Sequence, residues 1–218
     1  MDDRERLEHY LRDTASRHNH LCPRQVLGVR IGMYAGDLLG LDLPQRDKRL
    51  FAFVEADGCF ADGVSVSTGC WLGRRTMRLV DYGKVAATFV DTHTMRSVRI
   101  APTPSARERA CAYAPETHDR WSAHLIAYQV MPTAELLRAE EVSLTVDVAA
   151  IISKPGLRMV CESCAEEIMN EREVVIEGKT LCRNCAGADS YYQSGADDIS
   201  DNINRSQHDQ QSTRDDGP

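Results

Sequence analysis

Leu50-Phe51-Ala52-Phe53-Val54-Glu55-Ala56-Asp57-Gly58-Cys59-Phe60-Ala61-Asp62 is the stretch on which the fold turns. Its first half is apolar, aromatic and β-branched and reads as a buried strand. Ala56-Asp57-Gly58 is a turn signal, and a short helix from about Ala61 to Thr68 follows, stopped by Gly69. Upstream, Leu7, Tyr10, Leu11 and Thr14 recur at helical spacing between Arg4 and Arg17. Pro23 suits the first position of a second helix running to Leu39, because its missing N–H has no partner there anyway. Gly28, Gly32 and Gly36 line one stripe of that helix. Each costs about 1 kcal/mol relative to Ala, so the stripe calls for close approach of another backbone.

Downstream, Met77–Val80, Val85–Val90 and Ser97–Ile100 read as strands, with Tyr82-Gly83-Lys84 as a tight connection. Helices are expected over Ser105–Tyr113, Thr117–Val130 and Thr133–Glu140, and a closing strand over Ser143–Ile152. Strands and helices interleave without a regular βαβ repeat. This predicts an α+β domain over residues 1–153, with a mixed or antiparallel sheet packed by helices. Lys154-Pro155-Gly156 reads as a hinge into a small four-cysteine domain over residues 154–187. Residues 188–218 are rich in Ser, Asp, Gln and Asn, cannot bury enough apolar surface to offset ordering entropy, and are expected to be disordered.

The formal charge is −7 over 218 residues, and the tail from Gly187 onward supplies −5 of it, leaving the body near neutral. A nucleic-acid binder would need an excess of Lys and Arg instead. No run of eighteen apolar residues occurs, so no membrane span is expected. Met1-Asp2-Asp3-Arg4-Glu5-Arg6 carries both signs and leads into no apolar core, which points away from a secretory signal and toward the cytoplasm. In a reducing compartment the eight cysteines mean metal or catalysis before they mean disulfides.

Cys161-x-x-Cys164 and Cys182-x-x-Cys185 are separated by seventeen residues, a spacing expected of two knuckles closing over one zinc ion. Four thiolates complete the coordination sphere, so this zinc is structural. Val174 to Leu181 between them reads as a hairpin turning at Glu177-Gly178. The other four cysteines are scattered. Cys111 has no ligand-type neighbour and reads as a core thiol. His18-Asn19-His20-Leu21-Cys22-Pro23 is dense in donors. The residue before proline is extended, so Cys22 becomes the N-cap of the second helix, where the dipole favours thiolate. Taken alone, this segment serves equally as a ligand set or as two solvated histidines beside a buried thiol. Asp57, Cys59 and Asp62, at a strand-to-helix junction, shift the balance toward a site.

His18-x-His20-x-Cys22-Pro23, Val54-Glu55-x-Asp57-x-Cys59-x-x-Asp62, Thr68-Gly69-Cys70 and Asp81-x-Gly83-Lys84, in that order, closely resemble the FmdE family of formylmethanofuran dehydrogenase proteins, over about Thr14 to Ile152. The four-cysteine module is similar to the DksA/TraR type of zinc finger. The resemblance implies a cleft in which His18, His20, Cys22 and Cys59 gather around a second metal, with zinc the expected occupant. It also implies an accessory role, because oxidoreduction in the parent complex belongs to a different chain that carries a molybdenum or tungsten pterin. The expected activity is therefore metal or cofactor handling, with an oxidoreductase chain or a second copy of this one, as a homodimer, for partner. Two alternatives use the same residues differently. One is an enzyme: a zinc-dependent hydrolase with Asp62 as general base, or a thiol enzyme with Cys22 as nucleophile and His18 or His20 as its base, with Cys59 a further catalytic candidate and Lys84 offering a cation to an anionic ligand. The other is a regulatory module that docks through its finger. Trp121, Leu125 and Tyr128, at helical spacing, read as core or protomer interface, and His93, His118 and His124 as isolated histidines.

Overall fold

The structure is a computed structural model that describes residues 2–18, 20–152, 156–169, 171–187 and 190–192. The chain divides into two compact units, Met1–Ser153 and Lys154–Pro218. Of the expected hinge only Gly156, and of the expected tail only residues 190–192, fall within the described residues.

The first unit opens with α1 (Asp3–His18) and α2 (Pro23–Leu39), then β1 (Leu50–Val54), α3 (Cys59–Thr68), β2 (Met77–Leu79), β3 (Ala87–Asp91) and β4 (Ser97–Pro102). It continues through α4 (Ala106–Tyr113), α5 (Arg120–Val130), the single turn α6 (Thr133–Leu136), β5 (Leu137–Glu141) and a second single turn, α7 (Val148–Ile151). The five strands form one sheet in the order β2-β1-β3-β4-β5. β1 pairs in parallel with β2, from Ala52 opposite Met77 to Val54 opposite Leu79, and every other pairing is antiparallel. The architecture is α+β with a mixed sheet. A parallel pair needs a long crossover, and α3 lies within it.

α2 runs through the centre. Val26, Val29, Ile31 and Ala35 are fully buried, packed with Leu50, Ala52, Phe60 and Phe89 in the main core. The glycine stripe lets α3 touch α2 backbone to backbone. A Cβ on Gly28 would stand 2.3 Å from the Phe60 carbonyl oxygen, and one on Gly63 would stand 2.4 Å from the Gln25 carbonyl oxygen. Gly32 meets the Ser67 side chain, whereas Gly36 faces Leu43. The stripe is thus used inside the protomer.

Three expectations are corrected. Residues 137–141 are not helical. Leu137-Arg138-Ala139-Glu140-Glu141 are good helix formers, but they pair with β4 at the sheet edge, and tertiary pairing overrides propensity. Residues 143–152 form no closing strand. Leu144, Val148, Ile151 and Ile152 recur at helical spacing and cover Phe51 and Val90 on the second face of the sheet, through α7. Tyr82-Gly83-Lys84 is no hairpin between neighbouring strands, because β2 and β3 flank β1 on opposite sides. The Tyr82 and Lys84 amides instead donate to the Glu55 carbonyl oxygen, at 3.0 and 3.1 Å.

The second unit holds two hairpins. β6 (Arg158–Val160) pairs with β7 (Glu167–Met169), and β8 (Val174–Ile176) with β9 (Lys179–Leu181). The β8–β9 turn falls at Glu177-Gly178 as the sequence requires, both residues having positive φ (50° and 80°), the pair of conformations a two-residue hairpin turn needs.

Gly63→Ala is expected to lose about 1–3 kcal/mol, the range for overpacking, because only backbone movement relieves the clash with Gln25. Gly73→Ala, with open space around its Cβ, should change stability by less than about 0.5 kcal/mol. Thermal unfolding of the two variants against the parent checks both values.

Candidate functional site

The first unit contains a cavity of about 640 Å³ whose lining includes Cys22 and Cys59 as its floor. Each cysteine is placed by local chemistry. Cys22 has the extended backbone expected before proline (φ −127°, ψ 159°) and is the N-cap of α2. Its amide donates to Gln25 Oε1 at 2.6 Å, while Gln25 Nε2 donates to the Thr14 carbonyl oxygen at 3.1 Å. A fully buried glutamine thereby ties the start of α2 to α1. Cys59 opens α3, directly after Gly58, whose φ of +65° with ψ −147° is a conformation glycine alone tolerates. The glycine contact between α2 and α3 then sets the two helix starts side by side. The Cys59 thiol is pushed up in pKa, first by burial and next by the neighbouring Cys22 thiol, with Arg24 acting against both.

The histidines divide. His18, the last residue of α1, shares a 2.6 Å hydrogen bond between Nε2 and Asp62 Oδ2, in the first turn of α3. This pair joins the C-terminal end of one helix to the N-terminal end of another, where the Asp62 carboxylate suits the dipole of α3. His20 lines the cavity, and its Nδ1 meets the His18 carbonyl oxygen at 2.8 Å, which leaves Nε2 for a ligand. Cys22 and Cys59 therefore come together with His20 at the same cavity, while His18 is spent on Asp62. His20 is exposed, and the three donors do not all lie within 4.8 Å of one another.

The remaining candidates lie elsewhere. Asp57 is exposed. Lys84 also lies outside the cavity lining, with its Nζ 5.6 Å from the Tyr82 ring centroid. Glu55 is buried, accepting from Arg99 at both carboxylate oxygens (2.7 and 2.8 Å), and so anchors the strand end that precedes the site. Cys70 is a core thiol, pushed up to about 11 by burial and donating to the Leu50 carbonyl oxygen. Cys111, expected in the core, is exposed on α4, a short helix that buries only Ala106 and Ala110.

The rest of the lining carries no sequence motif. Trp121, His124 and Tyr128, one stripe of α5, line the cavity together with Arg24 and Arg107, and His124 Nε2 lies 3.3 Å from the Arg107 carbonyl oxygen. The spacing 121, 124, 128 announces a helical stripe, but its polar-tipped rings fit a cavity wall as well as a core.

In the second unit Cys161, Cys164, Cys182 and Cys185 bring four sulfurs within 4.8 Å of one another. Cys164 and Cys182 Sγ are 4.0 Å apart. Tetrahedral zinc, with bonds of about 2.3 Å, requires sulfurs about 3.8 Å apart. Amides support the sulfurs from outside: Cys182 N–H donates to Cys161 Sγ at 3.2 Å, and Cys185 N–H to Cys182 Sγ at 3.3 Å. Amide donors to the sulfur hold the Cys161 thiol well below its usual pKa, so thiolate is favoured. The donor set fits zinc. Among the described residues no other group of three or more Cys, His, Asp or Glu ligand atoms gathers this closely.

Residues 17–143 match the family model of FmdE, named for the molybdenum formylmethanofuran dehydrogenase operon. The chain belongs to the FmdE family. Residues 156–191 match the prokaryotic DksA/TraR four-cysteine zinc finger. The solved structure of a tungsten formylmethanofuran dehydrogenase FmdE-like protein from Syntrophus aciditrophicus superposes with a TM-score of 0.54 at 20% identity, covering 85% of this chain and 95% of that one, so the fold is shared. A probable S-adenosyl-L-methionine-binding protein from Archaeoglobus fulgidus is 37% identical over 86 residues, 38% of this chain and 24% of that protein. The chain thus matches about a quarter of that relative's length. No helix among the described residues is long and apolar enough to cross a membrane.

Cys161→Ala is expected to remove the metal of the four-cysteine module and to unfold the second unit, since comparable zinc peptides draw about 10–16 kcal/mol from metal binding. Hydrogen exchange should show protection lost over residues 156–187 and retained in the core strands β1 and β3, with a chelator producing the same pattern in the parent protein.

Proposed function

We propose that this FmdE protein is a cytoplasmic accessory factor for metal or cofactor handling, whose working site is the Cys22–Cys59 cleft and whose zinc finger is structural. One observation carries the proposal: two thiols from separate helix starts share the floor of a cavity that a small molecule can enter. Two sulfurs are a strong nucleus for a thiophilic divalent ion, with zinc the expected occupant. His20 is the third donor. Its exposed ring has to turn toward the sulfurs, which its position at the cavity mouth permits. Such a set leaves a coordination position open, unlike the closed four-cysteine site. The His18–Asp62 pair acts from behind, orienting the end of α1 and the start of α3 relative to the ion.

The thiol-enzyme alternative has less support, because His18, one of its two candidate bases, directs Nε2 to Asp62 and away from Cys22. Free cysteines throughout the described residues suit a reducing compartment. Half-exposed Ile126 and Val130 on α5 offer an apolar surface to an oxidoreductase partner or a second copy of the chain.

Full-length protein is expected to carry two metal equivalents per chain by elemental analysis, falling to one in Cys22→Ala/Cys59→Ala with the finger metal intact. One equivalent in the parent, unchanged in that variant, rejects the cleft metal.

A further inference from the structure

The cleft holds more than a pair of thiols. In a chain of net charge −7, its lining includes the guanidinium groups of Arg24 and Arg107 and no carboxylate. Neither guanidinium has an ion-pair or hydrogen-bond partner among the described residues, although many other arginines of the first unit are paired. Both are exposed at the mouth, one in the first turn of α2 and the other in the first turn of α4. Two unneutralised cations over a concave wall concentrate anions there, and the starts of α2, α3 and α4 add N-terminal dipole ends of the same sign.

Part of the same lining is aromatic. Trp121 is 51% exposed, a large area for an indole to leave in water without a ligand. His124 and Tyr128 stack with planes 3° apart and centroids at 5.4 Å, and both are buried in the wall of the cavity. Tyr128 is only 3% exposed, yet its hydroxyl has no hydrogen-bond partner among the described residues. The hydroxyl is not sealed from solvent and can meet a ligand atom that enters the cavity.

From this juxtaposition of adjacent thiols, free guanidinium groups and an aromatic wall, we propose that the cavity binds a small anionic ligand with a flat ring system. Its phosphate or carboxylate lies between Arg24 and Arg107, its ring lies against Trp121, and a polar ring atom meets the Tyr128 hydroxyl. A volume of about 640 Å³ falls in the range of small-molecule sites and suits a mononucleotide-sized molecule. The proposal deepens the function above, and rests on it only for what the ligand meets at the floor: the metal or thiols of Cys22 and Cys59.

Flavin mononucleotide and AMP serve as probes, titrated into the full-length protein by calorimetry and, for the flavin, by fluorescence. At least one should bind saturably below about 1 mM, the affinity a few charge-assisted hydrogen bonds and one stack supply. Arg24→Ala/Arg107→Ala should weaken binding at least tenfold. The phosphate-free counterpart, riboflavin or adenosine, should also bind at least tenfold more weakly. Trp121→Ala should weaken the nucleotide while leaving inorganic phosphate competition unchanged. The three side chains are exposed, and circular dichroism confirms that the variants fold. Cys22→Ala/Cys59→Ala separates the two proposals: arginine-dependent binding that persists there supports the anion site even if no cleft metal is found. Failure of both probes to saturate, equal affinity in the double arginine variant, or equal affinity for the phosphate-free counterpart overturns it. Inorganic phosphate that binds as tightly as the nucleotide also overturns the flat-ring ligand, since it leaves an anion site alone.

Discussion

The backbone contact between α2 and α3 is the constraint from which the site follows. Glycine at 28 and 63 lets the two helices approach until the next atom at each position is a carbonyl oxygen of the other helix. Helix–helix distances are usually set by side chains, at about 8–10 Å, and removing those side chains brings the axes closer. Closer axes bring closer ends. Cys22 caps the start of α2 and Cys59 opens α3, so the same contact that fills the core presents two sulfurs to one cavity. The thiol pair is therefore held by rigid helices and not by a loop, which keeps its separation independent of whatever enters the cleft.

The two sulfur sites of the chain solve different problems. The four-cysteine module has hairpins of three-residue strands and exposed apolar residues such as Val160 and Val175, too little core to stand alone, and its closed sulfur set supplies the missing cohesion. The cleft belongs to a domain that already has a core around Val26, Phe60 and Phe89. Its fold does not rest on a closed sulfur set. In the finger, backbone amides donating to the sulfur favour thiolate at Cys161, whereas burial and the neighbouring thiol make Cys59 reluctant to ionise.

How far the sequence can be read depends on whether the deciding interaction is local. Cys22 as an extended N-cap, the glycine stripe as a demand for close packing, the Glu177-Gly178 turn and the paired Cys-x-x-Cys spacings are all set within a few residues, and each is legible. β5 is hidden, because Leu137 to Glu141 favour helix and only the free edge of β4 makes them a strand. The parallel placement of β2 is hidden for the same reason, since nothing in Met77-Arg78-Leu79 states which side of β1 it joins. In the cleft, the thiols are legible from their motifs, but His18 reads as a free donor only until the fold brings in its partner Asp62, 44 residues away. The aromatic and basic walls carry no motif at all. They become a site only when α4 and α5 are folded against the start of α2.

What holds that wall in place is a second role of α2. Arg30, near the middle of the helix, donates to the Tyr128 and Met131 carbonyl oxygens at 2.9 Å each and to Thr133 Oγ1 at 3.1 Å. These carbonyls include ones at the C-terminal end of α5 that have no helical donor, so one guanidinium caps the helix that carries Trp121, His124 and Tyr128. Its charge also suits the negative end of the α5 dipole. The single helix α2 thus contributes Cys22 and Arg24 from its start, packs Gly28 against α3 to position Cys59, and through Arg30 holds α5, which carries the aromatic lining. A displacement of α2 by about one ångström would move Cys22, Arg24 and the aromatic lining together, because interiors this closely packed transmit strain. The cavity therefore keeps its shape as a unit, set by the packing of one central helix more than by the loops that complete its lining.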